Sequence, residues 1–173
     1  MAKNRIYAAC EAMDDDFNFF RGGPPGAAAI AALEAELGRP LPPGHRELVA
    51  AAGCVAVVAN DKVWPAPQAY EIRPRWQMIR GLELFGVAPS GHPLELAGKR
   101  AELVELTEDE DLIPLGKVIG VNRWLCADVD GDVQWWEQDE GAFVDGVVEA
   151  VEEFLDQLAK DKQKIKKEGV QRS

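Results

Sequence analysis

The segment from Trp124 to Glu137, WLCADVDGDVQWWE, constrains the fold more than any other stretch of the chain. Two arms rich in tryptophan, leucine and valine flank Asp130-Gly131, a dipeptide that accepts the positive φ angles of a tight turn. An antiparallel hairpin is expected here, with Asp128 opposite Val133, Cys126 opposite Trp135 and Leu125 opposite Trp136. Large apolar groups fall on both of its faces, so the pattern leaves open which face meets the core.

Around the hairpin, helical and extended patterns alternate. Ile30, Leu33 and Leu37 keep helical spacing in an alanine-rich run, and Gly38 is placed to stop it. Pro43 suits the first turn of a second helix, which carries Leu48, Val49 and Ala52 and ends at Gly53. Val55 to Ala59 reads as a buried strand. Prolines keep residues 60–90 from forming one long helix, and 78–85 reads either as a strand with an internal glycine or as a turn of helix. Leu94 to Leu106 reads as helix, with Leu96, Leu103 and Leu106 inward. Leu112–Leu115 and Val118–Ile119 read as strand, with Pro114 at an edge or a strand start. A last helix carries the stripe Val147, Val148, Val151, Phe154, Leu155 and Leu158. At the other end, Ile6, Tyr7, Cys10 and Met13 allow a short first helix, and Phe17, Phe19 and Phe20 are expected to pack onto the domain.

This order predicts a single α+β domain with a largely antiparallel sheet and helices packed around it. Its expected boundaries are residues 27–159, with 1–26 an N-terminal extension and 160–173 a basic, frayed C-terminal tail.

Charge narrows the choice of partners. The 173 residues carry 30 acidic and 19 basic side chains, a net of −11. Residues 1–100 are neutral, whereas 101–159 hold 17 acidic residues against Lys117 and Arg123 alone. Such a field repels nucleic acid and anionic membrane and attracts a basic protein. An apolar run such as Leu48 to Ala59 is interrupted by Gly53, and none reaches the roughly 18 apolar residues of a membrane span. The opening MAKNRIYAACEAMDDD meets acid where a secretion signal needs an apolar core, so a cytoplasmic location is expected.

The residue types of catalysis are thinly supplied. Serine occurs only at Ser90 and Ser173, neither in a nucleophile motif. Cys10, Cys54 and Cys126 are widely spaced with no C-x-x-C, which argues against structural zinc and for buried free thiols. His45, after Pro-Pro-Gly at a helix start, is read as an exposed or capping residue. Asp128-Val129-Asp130-Gly131-Asp132 approaches a calcium loop, but its glycine is misplaced for one, and a hairpin turn is the better reading. Glu108 to Asp111 is a run of four acids suited to a solvated turn. No catalytic residue, metal or cofactor is assigned.

Three blocks taken together resemble the SUKH superfamily, which includes bacterial immunity proteins and fungal cell-wall assembly regulators. The blocks are IAALEAELGRPLPPGHRELVAAAG at Ile30–Gly53, DLIPLG at Asp111–Gly116, and the Trp135-Trp136 strand followed by VEEFL at Val151–Leu155. Their order and spacing agree across residues 27–159. The chain departs from the family in having Ala52-Gly53 where Asn-Gly is common, and in residues 60–90, which match nothing in it. The resemblance implies a non-catalytic binding domain, and in many members the role of an antitoxin that occludes a delivered toxin. It transfers no catalytic residues. For this chain the expected partner is a cognate toxin domain, basic and of nuclease type. The carboxylates of Asp128, Asp130, Asp132, Glu137, Asp139 and Glu140 are expected at the interface, with Trp136 as anchor. The alternative is a regulatory scaffold that binds endogenous partners. An enzyme with carboxylate-based hydrolysis ranks third.

Overall fold

In the computed structural model, which describes residues 4–137 and 140–170 and leaves out the side chain of residue 140, seven strands form one antiparallel meander. The elements run α1 (Arg5–Glu11), β1 (Phe17–Arg21), α2 (Ala27–Leu37), α3 (Pro43–Ala52), β2 (Val55–Ala59), α4 (Arg75–Met78), β3 (Gly81–Leu84), α5 (Leu96–Thr107), β4 (Ile113–Ile119), β5 (Arg123–Ala127), β6 (Val133–Glu137), β7 (Glu140–Phe143) and α6 (Val147–Glu168). The strands lie side by side in chain order, so the fold is α+β with every strand paired to its sequence neighbours.

Register and alternation assign the faces. One cross-strand row runs Phe20, Ala56, Glu83, Lys117, Trp124, Trp136, Gly141. On the opposite face, Phe19 meets the Tyr7 ring of α1 edge-on, and Trp135 meets Phe154 of α6 at 5.9 Å. Helices α1, α3 and α6 therefore cover that side. On the first face Phe85 packs against Trp124 at 6.0 Å, and Lys99 of α5 lies over the Phe85 ring. Both faces of β5 and β6 are thus buried, which is why large apolar residues occur at successive positions there.

The hairpin forms where expected but in a different register. Ala127 pairs with Val133, Cys126 with Gln134, Leu125 with Trp135 and Trp124 with Trp136, one residue away from the pairing read from the sequence. The turn is longer than a two-residue loop. Gly131 N–H donates to Asp128 O at 3.0 Å, and Asp128 N–H donates to Asp132 O at 2.9 Å. Gly131, at φ 85°, then acts as the left-handed bulge residue of a three-residue connection. Pro114 does stand at a strand start, beyond the last β3 partner pair, Leu84 with Gly116, and just before a bulge in β4.

The terminal segments are built into the domain. Asn4 caps α1 by accepting from Tyr7 N–H at 3.0 Å, α1 buries Ile6, Tyr7 and Cys10, and β1 pairs with β2 along its whole length. Residues 4–21 are therefore an edge strand and a covering helix, not an extension. Helix α6 also continues past the expected boundary at 159. Lys162 occupies the next inward position, 2% exposed, where its ammonium bonds Asp14 and Asp16 of the α1–β1 turn; Lys166 bonds Asp16 at 3.0 Å. A lysine on the stripe reads as a helix end, yet two carboxylates from the far end of the chain neutralise it.

His45 is buried rather than exposed, because it shares the inward stripe of α3 with Leu48, Val49 and Ala52. Its Nε2–H donates to Phe85 O at 2.6 Å, Nδ1 has no partner among the described residues, and burial pushes its pKa down to about 4. The unfolded chain binds this proton at about pH 6.5 and the folded chain only near 4, so protonation favours unfolding between those values. Stability should be level above pH 6.5 and fall by on the order of 3 kcal/mol as pH drops to 4, through this group alone. Urea titrations of the wild type and His45→Gln across that window check this. The variant should lose the histidine's share of the slope, and an unchanged slope would contradict the assignment.

Candidate protein-binding surface

The hairpin tip is built around one carboxylate. Asp128 Oδ1 accepts from the N–H groups of Asp130 and Asp132, each at 3.0 Å, and so closes the turn that Gly131 completes. This leaves the side chains of Asp130 and Asp132 in solvent, with Val129 between Asp128 and Asp130, 60% exposed. One oxygen from each of Asp128, Asp130 and Asp132 lies within 4.8 Å of the others, and one oxygen of Asp128 is already an acceptor for two amides.

A second acidic group stands beside the tip. The turn between α5 and β4, Glu108 to Asp111, enters β4 next to the end of β5. Glu108 takes the left-handed cap of α5 at φ 58°, and Asp109 and Thr107 side chains hold the turn through Asp111 and Asp109 N–H. Arg39, from the α2–α3 connection, ties the two groups together: its guanidinium donates to Asp111 O and to Ala127 O. Burial and nearby Arg100 lower the Arg39 pKa, while Asp111, Asp128 and Asp109 act in the opposite sense, which places those three carboxylates around one cation. Arg100 likewise donates to Glu110 O at 3.0 Å. Seven exposed or half-exposed acids, 108–111 with 128, 130 and 132, thus crowd one end of the sheet, and both arginines among them are engaged with backbone carbonyls.

The other residues expected at this interface lie elsewhere. Trp136 is 8% exposed, opposite Trp124 inside the sheet face, and is not displayed as an anchor. Glu137 is at the far end of β6, roughly 13 Å along the strand from Val133, where it pairs with Arg75. Asp139 and the side chain of Glu140 lie outside the described residues. Val129 is the apolar group that the tip does present, and its flanking aspartates were the signal for it. Arg39 was not legible, because the contact spans 72 and 88 residues of sequence.

Further acid lines α6. A groove of about 730 Å³ runs beside the helix, bordered by Glu149, Glu153 and Asp156, with Arg123 stacked on Trp135 at 4.2 Å in its floor. Burial pushes the Cys10 and Cys126 thiols up to about 12, so both are protonated at neutral pH. No helix among the described residues is long and apolar enough to cross a membrane. No family model matches the chain, and a search of curated proteins finds no match.

The two roles of the tip acids are separable by mutation. Asp128→Ala removes the acceptor for two amides and should lower stability by about 1–2 kcal/mol, whereas Asp130→Ala should change it by less than about 0.5 kcal/mol. Denaturant midpoints of the two variants decide the matter, and equal losses would contradict the account of the turn.

Proposed function

We propose that this protein is a non-catalytic binding domain that captures and neutralises a basic protein, in the manner of the SUKH immunity proteins that its sequence blocks resemble. The partner is a toxin domain of nuclease type met in the cytoplasm. One observation carries the reading: the acids at 108–111 and at 128, 130 and 132, separate in sequence, meet at one end of the sheet, where they outnumber Arg39 and Arg100, both engaged with backbone carbonyls. A surface of this kind repels nucleic acid and accelerates encounter with a basic protein, while the exposed Val129 supplies an apolar contact inside the ring of charge. The protonated thiols and the neutral, buried His45 accord with a binding role rather than with nucleophilic or general-base chemistry.

The test is capture from the source lysate at low salt, with the wild type and with Asp130→Lys/Asp132→Lys side by side. The wild type should retain one dominant basic protein that is released at high salt and is toxic to cells lacking this chain. The reversed variant should bind it with an association rate roughly tenfold slower or less and a flatter salt dependence. Equal retention by both proteins would remove this surface from the interface. A partner without toxicity would remove the immunity role.

A further inference from the structure

The face of the sheet beneath α5 carries a row of charged groups that the proposed binding surface does not use. Glu83 of β3 stands directly opposite Lys117 of β4, and Lys117 in turn stands opposite Trp124 of β5. Opposite charges in such a cross-strand pair gain from contact, yet these two make no ion pair among the described residues. The Lys117 ammonium lies over the Trp124 ring instead, 5.1 Å from its centroid. From α5, Lys99 lies 5.6 Å from the centroid of Phe85, whose ring packs on Trp124, and pairs with Glu102 at 3.1 Å.

Between these side chains and the β4–β5 turn is a pocket of about 500 Å³, bordered by Glu83, Lys99, Lys117, Gly120, Val121 and Asn122. That size suits a small molecule. The turn is held in place: Gly120 sits at φ 107°, with its backbone so close to Met78 O that a side chain would not fit. Asn122 Oδ1 accepts from Trp124 Nε1–H at 2.9 Å, which commits the oxygen and leaves the amide nitrogen as a donor. Glu83 is half-buried, and burial pushes its pKa up, while Lys99 and Lys117 act in the opposite sense and Glu102 adds to the rise. A half-buried carboxylate with no contacting partner costs stability, as groups kept for binding commonly do.

We infer that this pocket binds a small zwitterion of the amino-acid class, its ammonium against Glu83 and its carboxylate between Lys99 and Lys117. Charge selects this ligand. The carboxylates of Glu83 and Glu102 balance the ammoniums of Lys99 and Lys117, and Glu83 and Lys117 are held out of contact with each other. A plain anion would meet Glu83 as a like charge and would be repelled by the chain's net charge of −11. A plain cation would meet the two ammoniums. A zwitterion satisfies both signs and brings no net charge into the field. The aromatic rings beneath Lys99 and Lys117 place the two ammoniums before the ligand arrives, which lowers the entropy lost on binding. The register puts the pocket at the β4–β5 turn, the end of the sheet away from Asp128–Asp132, so it is separate from the proposed protein-binding surface.

Saturation-transfer NMR of the full chain with a panel of the common L-amino acids, and with acetate and ethylamine, tests this independently of the proposed toxin binding. At least one amino acid should bind. Acetate and ethylamine, which each carry one of the two charges, should bind about tenfold more weakly or less. Glu83→Gln and Lys117→Met should each raise the dissociation constant for that amino acid about tenfold or more. Glu83→Gln also removes a desolvated charge, so it should lose the ligand with an unchanged or higher thermal midpoint. Asp130→Lys/Asp132→Lys should bind the amino acid as the wild type does. Binding of no amino acid, equal binding of acetate or ethylamine, or undiminished binding in either pocket variant would overturn the inference.

Discussion

The two hydrogen bonds accepted by the Asp128 carboxylate fix more of this molecule than any other local interaction. They close a three-residue connection, and the connection sets the pairing of β5 with β6. A slip of one residue would turn every side chain of a strand to the opposite face. Trp135 would then leave Phe154 of α6, and Trp136 would leave Trp124. Because both faces of this hairpin are buried, a slip has no face on which to be harmless. The same turn displays Val129, Asp130 and Asp132, so the device that holds the sheet in register also shapes the proposed binding surface.

Local signals carried much of the architecture. Helices α2 and α3, strand β2, the existence of the central hairpin and the first half of α6 all follow from periodicity and from glycine and proline positions close to them in sequence. What escaped was what depends on distant partners. The hairpin register turned on whether Asp128 acts as a strand residue or as an acceptor for the turn, and a Val-Asp-Gly sequence accommodates both. Lys162 looks like the end of a helix until Asp14 and Asp16 are brought against it from the other end of the chain. His45 looks like a polar residue at a helix start until the stripe of α3 is seen to carry it under Phe85. The acidic surface was legible in the same partial way. Its aspartates at the tip were visible as a cluster, but their meeting with Glu108–Asp111 around Arg39 needed the fold, and Trp136 took a place inside it.

Charge divides the molecule into two ends with different chemistry. At one end, carboxylates outnumber cations and the cations present are engaged with the backbone. At the other, Asp61 pairs with Arg80, Glu71 with Arg73 and Arg75 with Glu137, and Tyr70 stands clear of the surface. In the proposed binding role, long-range attraction acts at the acidic end. The middle of the sheet, buried on both sides at β5 and β6, keeps the two ends at a fixed distance.

The most direct test of the central claim is hydrogen–deuterium exchange on the complex with the basic partner that the chain retains. New protection should appear at Glu108–Asp111 and at Asp128–Asp132, with little change along the α6 groove. Protection confined to the α6 groove or to the loop around Tyr70 would contradict the assignment of the acidic end as the binding surface.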